Sequence, residues 1–400
     1  PILLDNYFHD VNNLIDIKDH IIKIKYKKND LLLKGSGKIK LDKDYNKINY
    51  TIINKQNNFN INSNIELNEL KLKNQKFLKP FFPKQKEVTN LKSQKIEINY
   101  SKDNLSIKAV GKIKLENEFE DIDFFISKIK DNFNFDTQVN LEKTSFIVDF
   151  LNFEKDNELK TKIIINGNYN DQNELNFTEI NIEEKNNKIV LENLLLDKNN
   201  LIIKVDKIDL DYFDVEKKQN KFKILRSKKN SYNINGSLLN ANKLINDLLK
   251  IKSTDDPKIL KNNINLNLDL NKVYIDEKNI VKNLNGKLNI KDNEIIKANI
   301  HGLFDNNGNL IFTINTNNKG EKITTFNSSK AKPIVDRYKF IKGFENGKLD
   351  FYSTKKNNIS NSVLMIDNFK VQEVPALAKL LSLASLQGIA DLLTGEGIRF

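Results

Sequence analysis

Cysteine and tryptophan are absent from these 400 residues, methionine occurs once, and only 6 prolines and 14 glycines punctuate the chain. Without cysteine there is no disulfide scaffold, no thiol nucleophile and no thiolate metal site. So little proline and glycine excludes a low-complexity linker protein. Arginine is nearly missing as well: of 65 basic residues, three are arginine, Arg226, Arg337 and Arg399. A net charge of +12 raises the question of nucleic acid. Base and phosphate recognition, however, leans on the planar, bidentate guanidinium, and the lysines here alternate with apolar residues instead of clustering. No nucleic-acid partner is expected, and the charge suits an anionic membrane surface better. The three histidines, His9, His20 and His301, are scattered without metal-ligand spacing. No glycine-rich phosphate loop exists, since "TGEG" at Thr394–Gly397 reads as a helix C-cap. The carboxylate pairs Glu183–Glu184 and Asp255–Asp256 read as solvated surface. Neither a cofactor nor a metal nor an enzymatic reaction is implied.

What the chain does have is alternation. Hydrophobic residues make up 39%, with 24 Phe and 11 Tyr, which is too apolar for a disordered chain. "KINYTIIN" (Lys47–Asn54), "NFNINSNIEL" (Asn58–Leu67), "KIEINY" (Lys95–Tyr100), "LSIKAVGKIKL" (Leu105–Leu115) and "NINLNLDLN" (Asn263–Asn271) each place Ile, Leu or Phe on one face. Asn, Lys, Asp or Glu take the other face, the period-two signature of strands with one buried and one wet side. Turns are expected at "NGNYND" (Asn166–Asp171), "NNGN" (Asn306–Asn309) and "ENGK" (Glu345–Lys348). Links this short favour an antiparallel meander over βαβ units. Roughly 20–25 strands at about 4.8 Å each would make a sheet on the order of 100 Å long. Such a sheet must curl, and its apolar face needs a cover. Ile61, Ile65, Ile96, Ile98, Leu266 and Leu268 are candidate residues of that shared face.

Helices are few. "SLLNANKLINDLLK", Ser237–Lys250, reads as an amphipathic helix lying on the sheet, and a short helical turn is expected over Lys332–Phe340. "KPFFPK", Lys79–Lys84, is a proline-bounded loop, either a hairpin end packed on the sheet or a membrane-touching tip. The last stretch, "VPALAKLLSLASLQGIADLLTGEGIRF" from Val374 to Phe400, carries four of the chain's eight alanines. Pro375 fits a first helical position and Gly395 a stop, giving a helix of about 19 residues and roughly 28 Å. Leu377, Leu380, Leu381, Leu383, Leu386, Ile389, Leu392 and Leu393 leave only Lys379, Gln387 and Asp391 on a polar strip. A helix apolar nearly all round is buried or meets lipid. It is expected to plug or line the concave side of the curled sheet.

At this point the residues resemble a known family. "FENGKLDFYS", followed by "VLMIDNFKVQEVPALAKLLSLASLQGIADLLTGEGIRF", is similar to the C-terminal region of the AsmA-like proteins of Gram-negative bacteria, in their YhdP-type branch. The shared positions include Gly347, Leu349 and Phe351, then Ile366, Phe369, Val371, Pro375, Leu377, Ala378, Leu380–Leu386, Gly388, Leu392, Leu393, Gly395, Gly397, Ile398 and Phe400. The resemblance implies an internal segment of a longer bridge-like lipid-transfer protein. Such a protein is anchored in the inner membrane, crosses the periplasm, and has phospholipids and the inner and outer membranes as partners. The expected fold is mainly β, an elongated, curled antiparallel β-sheet groove with a few amphipathic or apolar helices. Residues 1–230 form a first groove segment, 231–373 an AsmA-like segment opening with the helix 237–250, and 374–400 the apolar helix and the start of a further strand. The alternative is a structural or assembly protein of the envelope, with a solid core and no lipid conduit.

Overall fold

The computed structural model describes residues 16–371, apart from 29, 42–43, 57, 74–77, 103, 131, 157–158, 170–173, 250–261, 292–293, 340–342 and 357–358. The expected closing helix at 374–400, with all of its leucines, lies outside the described residues, as do His9, Asp255 and Asp256. About 74% of the described residues are strand, in a mostly antiparallel sheet, with two helices among them, so the protein is mainly β. The chain divides into two compact units, Pro1–Lys198 and Asn199–Phe400. The expected segment boundary at Ser231 falls inside the second of these.

Unit 1 contains β1 (Ile17–Lys27), β2 (Asp30–Leu41), β3 (Asp44–Lys55), β4 (Asn58–Lys73), β5 (Val88–Ser101), β6 (Asn104–Lys114), β7 (Phe119–Ile129) and β8 (Asn132–Leu141). Each is antiparallel to the next. After a separate small hairpin, β9 (Ile147–Val148) with β10 (Phe153–Glu154), the ladder resumes with β11 (Thr161–Tyr169) against β8. It continues through β12 (Leu175–Glu184) and β13 (Asn187–Leu196). Alternation decides which side of each strand is buried. In β4 the residues Ser63, Ile65 and Leu67 are buried while Asn62, Asn64 and Glu66 are exposed.

Unit 2 contains β14 (Ile202–Lys204), β15 (Lys207–Phe213), β16 (Gln219–Lys228), β17 (Ser231–Asn240), α1 (Asn242–Leu249) and β18 (Ile264–Tyr274). It goes on with β19 (Ile280–Lys291), β20 (Glu294–Phe304), β21 (Gly308–Thr316), β22 (Lys322–Ser328), α2 (Lys332–Tyr338), β23 (Phe344–Lys356) and β24 (Ile359–Val371). Three expectations change here. The helix expected from Ser237 begins at Asn242, because Leu238, Leu239 and Asn240 remain in β17 and pair with Lys272, Val273 and Tyr274. That pairing is parallel, so the meander is interrupted by one crossover through α1. Asn240 ends the strand and opens the helix: its side-chain oxygen accepts the Asn242 N–H at 3.1 Å.

"ENGK" is not a turn but part of β23. Asn346 (φ 62°) and Gly347 (φ 81°) are left-handed, yet the register with β24 is the same on either side, Asn346↔Phe369 and Lys348↔Asp367. The Gly347 carbonyl accepts the Ala331 N–H at 2.7 Å, which fixes the entry to α2. "NGNYND" also fails as a turn through Tyr169, since Asn166–Tyr169 continue β11 on both sides of its ladder. "NNGN" does turn the chain, through a short 3-10 segment at Asp305–Asn307.

The core of unit 2 lies where the two helices meet the sheet. Ala331 and Val335 pack with Phe344, Leu349 and Phe351, and Ile245 and Ile334 pack onto Ile275, Val281, Phe304 and Leu310. Arg337 joins the helices, donating to Asn242 and Asn246 of α1 at 2.9 Å each.

Candidate functional site: the apolar face of the sheet

The ladder registers align the apolar residues of successive strands into continuous rows. In unit 1, Ile48, Ile65, Ile96, Ala109 and Phe124 are cross-strand partners in turn. The row runs on through Thr137, Ile165, Ile180 and Leu191. One row over, Ser63, Ile98, Ile107, Ile126 and Phe135 are aligned in the same way. A third row links Ile24, Leu33, Ile52, Ile61 and Tyr100. Ile61, Ile65, Ile96 and Ile98 therefore share one face of unit 1. In unit 2 Leu268 belongs to the row Ile224, Ile234, Leu268, Gly286, Ile300 and Phe312. Leu266 lies beside it, aligned with Tyr232 and Leu288.

Cover on this face is graded. At one end of unit 1 the side chains are shut in: Leu67, Leu141 and Phe153 are at most 1% exposed. The "KPFFPK" loop supplies part of that cover. Phe82 is buried against Phe146 (ring centroids 5.6 Å), and Phe81 stacks on the same ring at 6.1 Å, so the loop packs rather than projecting both rings. Along the middle rows cover is incomplete, with Ile61, Ile96, Ile98, Ile107, Ile126 and Phe135 half-buried. At the β1 edge Ile24 and Tyr26 are 64% and 69% exposed.

The covered end is held by buried carboxylates. Glu120 accepts the backbone N–H groups of Glu142, Lys143 and Thr144 at 2.7–2.8 Å. Burial pushes its pKa up, but these hydrogen bonds outweigh burial and hold the carboxyl below its ordinary range. Glu116 accepts from the Lys84 N–H and the Ser145 hydroxyl. Glu184 accepts from Thr161 at 2.6 Å and is buried, so the solvated reading of the Glu183–Glu184 pair holds for Glu183 alone, which faces Lys188 at 3.2 Å. The buried Lys155 ammonium donates to the carbonyls of Glu142 and Asp156. These groups serve loop closure, and alternation could not reveal them, because most of their partners lie more than a dozen residues away in sequence.

His20 is a structural residue, bonded to the Tyr50 hydroxyl and the Lys38 carbonyl, and His301 lies exposed in β20. Among the described residues no group of three or more metal-ligating side chains is assembled, and no helix is long and apolar enough to cross a membrane.

These features define a mainly β, predominantly antiparallel sheet protein whose two units each carry an apolar face, that of unit 1 partly uncovered. No family model, curated protein or solved structure matches the chain.

Proposed function

We propose that this chain is a segment of an inner-membrane-anchored periplasmic protein that conducts phospholipids between the inner and outer membranes along the apolar face of its sheet. The observation that carries the reading is the set of half-buried apolar rows in unit 1, aligned strand after strand. The resemblance of the C-terminal residues to AsmA-like, YhdP-type proteins supports it. Large uncovered apolar surfaces on a protein mark a binding face. Sheltering one acyl chain gains on the order of 10 kcal/mol at about 0.8 kcal/mol per methylene. The rows repeat at the strand spacing of about 4.8 Å, so a chain moving along them meets near-equivalent positions and needs no chemical step to advance. Head groups stay at the polar rim.

The test is lipid extraction and native mass spectrometry of the purified chain, with photo-crosslinkers at Ile61, Ile98 and Leu268 compared with Lys47, Lys95 and Lys108. Phospholipid captured at the apolar positions alone is the expected result. Equal labelling of both sets, or no lipid, overturns it. A solid-core envelope structural protein is the second reading. The packing of α1 and α2 onto the face of unit 2 favours it there.

A further inference from the structure

The small hairpin of unit 1 ends on an apolar point. Between β9 and β10 the Asn152 N–H donates to the Asp149 carbonyl at 2.9 Å, closing a turn whose two central residues are Phe150 and Leu151. Such positions ordinarily carry Gly, Pro, Asn, Asp or Ser. Three other hairpin tips of this chain are polar throughout: Lys185–Asn186 between β12 and β13, Lys229–Asn230 between β16 and β17, and Asn317–Gly320 between β21 and β22. Phe150, at 74%, is the most exposed large hydrophobic side chain among the described residues.

This tip is held from behind. Val148 and Phe153 are buried, and the Lys155 N–H donates to the Phe146 carbonyl at 2.8 Å. The Ile147 N–H donates to the Phe81 carbonyl at 3.0 Å, which sets the hairpin beside the "KPFFPK" loop. Lys79, Pro80, Pro83 and Lys84 of that loop are exposed. A single turn is far too small for a stable protein interface, which takes about 800 Å² from each partner. A bilayer sets no such minimum: Phe and Leu side chains settle at the boundary between headgroups and acyl chains, and lysine stems lie along apolar surface while their ammonium groups stay in water. The exposed charges of hairpin and loop are mixed, Asp149 and Glu154 against Lys79 and Lys84, so a zwitterionic surface meets no repulsion there.

We propose that Phe150 and Leu151 insert as a wedge into the interfacial layer of a phospholipid bilayer, with the neighbouring Lys79–Lys84 loop at the headgroups. The hairpin leads into the shut-in end of the unit 1 face, where Phe153 is 1% exposed, so the contact sets that end of the face against a membrane. The inference deepens the lipid reading by naming where the apolar face meets a bilayer. It rests on that reading for what the contact serves, and not for the insertion itself.

The chain has no tryptophan, so Phe150→Trp supplies the only indole fluorophore. The full chain carrying it is mixed with phosphatidylcholine vesicles, which bear no net charge and so remove lysine-driven adsorption. Its emission should shift to the blue and be quenched by lipids brominated high on the acyl chain. Phe125→Trp, at a site on β7 that is 41% exposed, should show neither effect. Phe150→Ser should weaken vesicle co-sedimentation about tenfold or more relative to the native chain, the weight of withdrawing one aromatic side chain from water. Its melting temperature should not change, since the ring lies largely outside the packing. Emission unaltered by vesicles, or an equal response at both tryptophan positions, overturns the wedge. So does a blue shift that appears without vesicles and grows with protein concentration, which would make the tip a contact between copies. If no insertion occurs while crosslinkers at Ile61 and Ile98 still capture lipid, the wedge fails and the lipid reading stands. If Phe150→Trp inserts but nothing is captured at Ile61 or Ile98, the tip stands as a membrane contact and the conduit reading fails.

Discussion

Gly347 shows how much one backbone position can decide. At φ 81° it sits where side chains are strained, and an added Cβ would meet the Phe344 ring, Phe369 and Ala331 at 3.0–3.2 Å. Gly347→Ala should therefore cost about 1–3 kcal/mol, read as a lowered denaturation midpoint. Many hairpins solve the opposite problem with residues other than glycine: Lys28, Gln56, Lys130 and Lys185 all take positive φ. For Lys185, between β12 and β13, replacement by glycine should stabilise the hairpin by roughly 1 kcal/mol, since the left-handed conformation then carries no Cβ penalty. Such turns are hard to read from sequence, because the residues that adopt them carry no turn signal of their own. The misplaced turns at "NGNYND" and "ENGK" are the converse, glycine signals used inside strands for close approach and for a left-handed backbone position. Glu120 belongs at this scale too. Its folded pKa lies below the unfolded value, so its contribution is complete above the unfolded carboxylate range and is lost as pH falls through the folded pKa. Glu120→Gln should cost about 1–3 kcal/mol at neutral pH and flatten that part of the acid-unfolding curve.

Among elements, strands were the most legible, because burial on one side imposes a period of two whatever the partner. All five quoted runs fall on strands, β3, β4, β5, β6 and β18, with Leu115 and Asn263 one residue outside theirs. Partner choice leaves no such mark. Nothing in "SYNINGSLLN" distinguishes a parallel from an antiparallel neighbour, and the helix start was misread because Leu238 fits the spacing of either element. The short helical turn expected over Lys332–Phe340 is present as α2, Lys332–Tyr338, with a proline in its first turn. Val335 is fully buried. Val335→Ala should remove about 1–3 kcal/mol, the range of transfer and cavity costs for a small buried aliphatic. The loss should show as faster amide exchange in α2 and β23, with β3–β6 unchanged.

For the whole molecule, the face that Ile61, Ile65, Ile96 and Ile98 share was legible, while its graded cover was not, because burial depends on loops such as Lys79–Lys84 that carry no periodicity. Charge gives a separate expectation. With +12 spread over the chain, adsorption to anionic vesicles should weaken steeply between low and physiological salt, where screening shortens to about 8 Å. Lipid held on the apolar face should not respond. Co-sedimentation and lipid retention measured over the same salt series separate the two, and parallel loss of both would mean that retention is surface adsorption.

The β17–α1–β18 crossover has a kinetic consequence. Most neighbouring strands are joined by tight hairpins, whose formation takes about 1–10 μs and whose contacts are local. Asn240 and Ile264 are separated by the helix and the residues after it, and in register β17 and β18 meet only when that whole stretch has returned. The hairpins on either side, β16–β17 and β18–β19, can each form without this closure. Pulse-labelling of amides during refolding should accordingly find β16 and β19 protected early and the amides shared by β17 and β18 late. Lengthening the 250–261 stretch with glycine and serine should slow the late phase while leaving the early one in place.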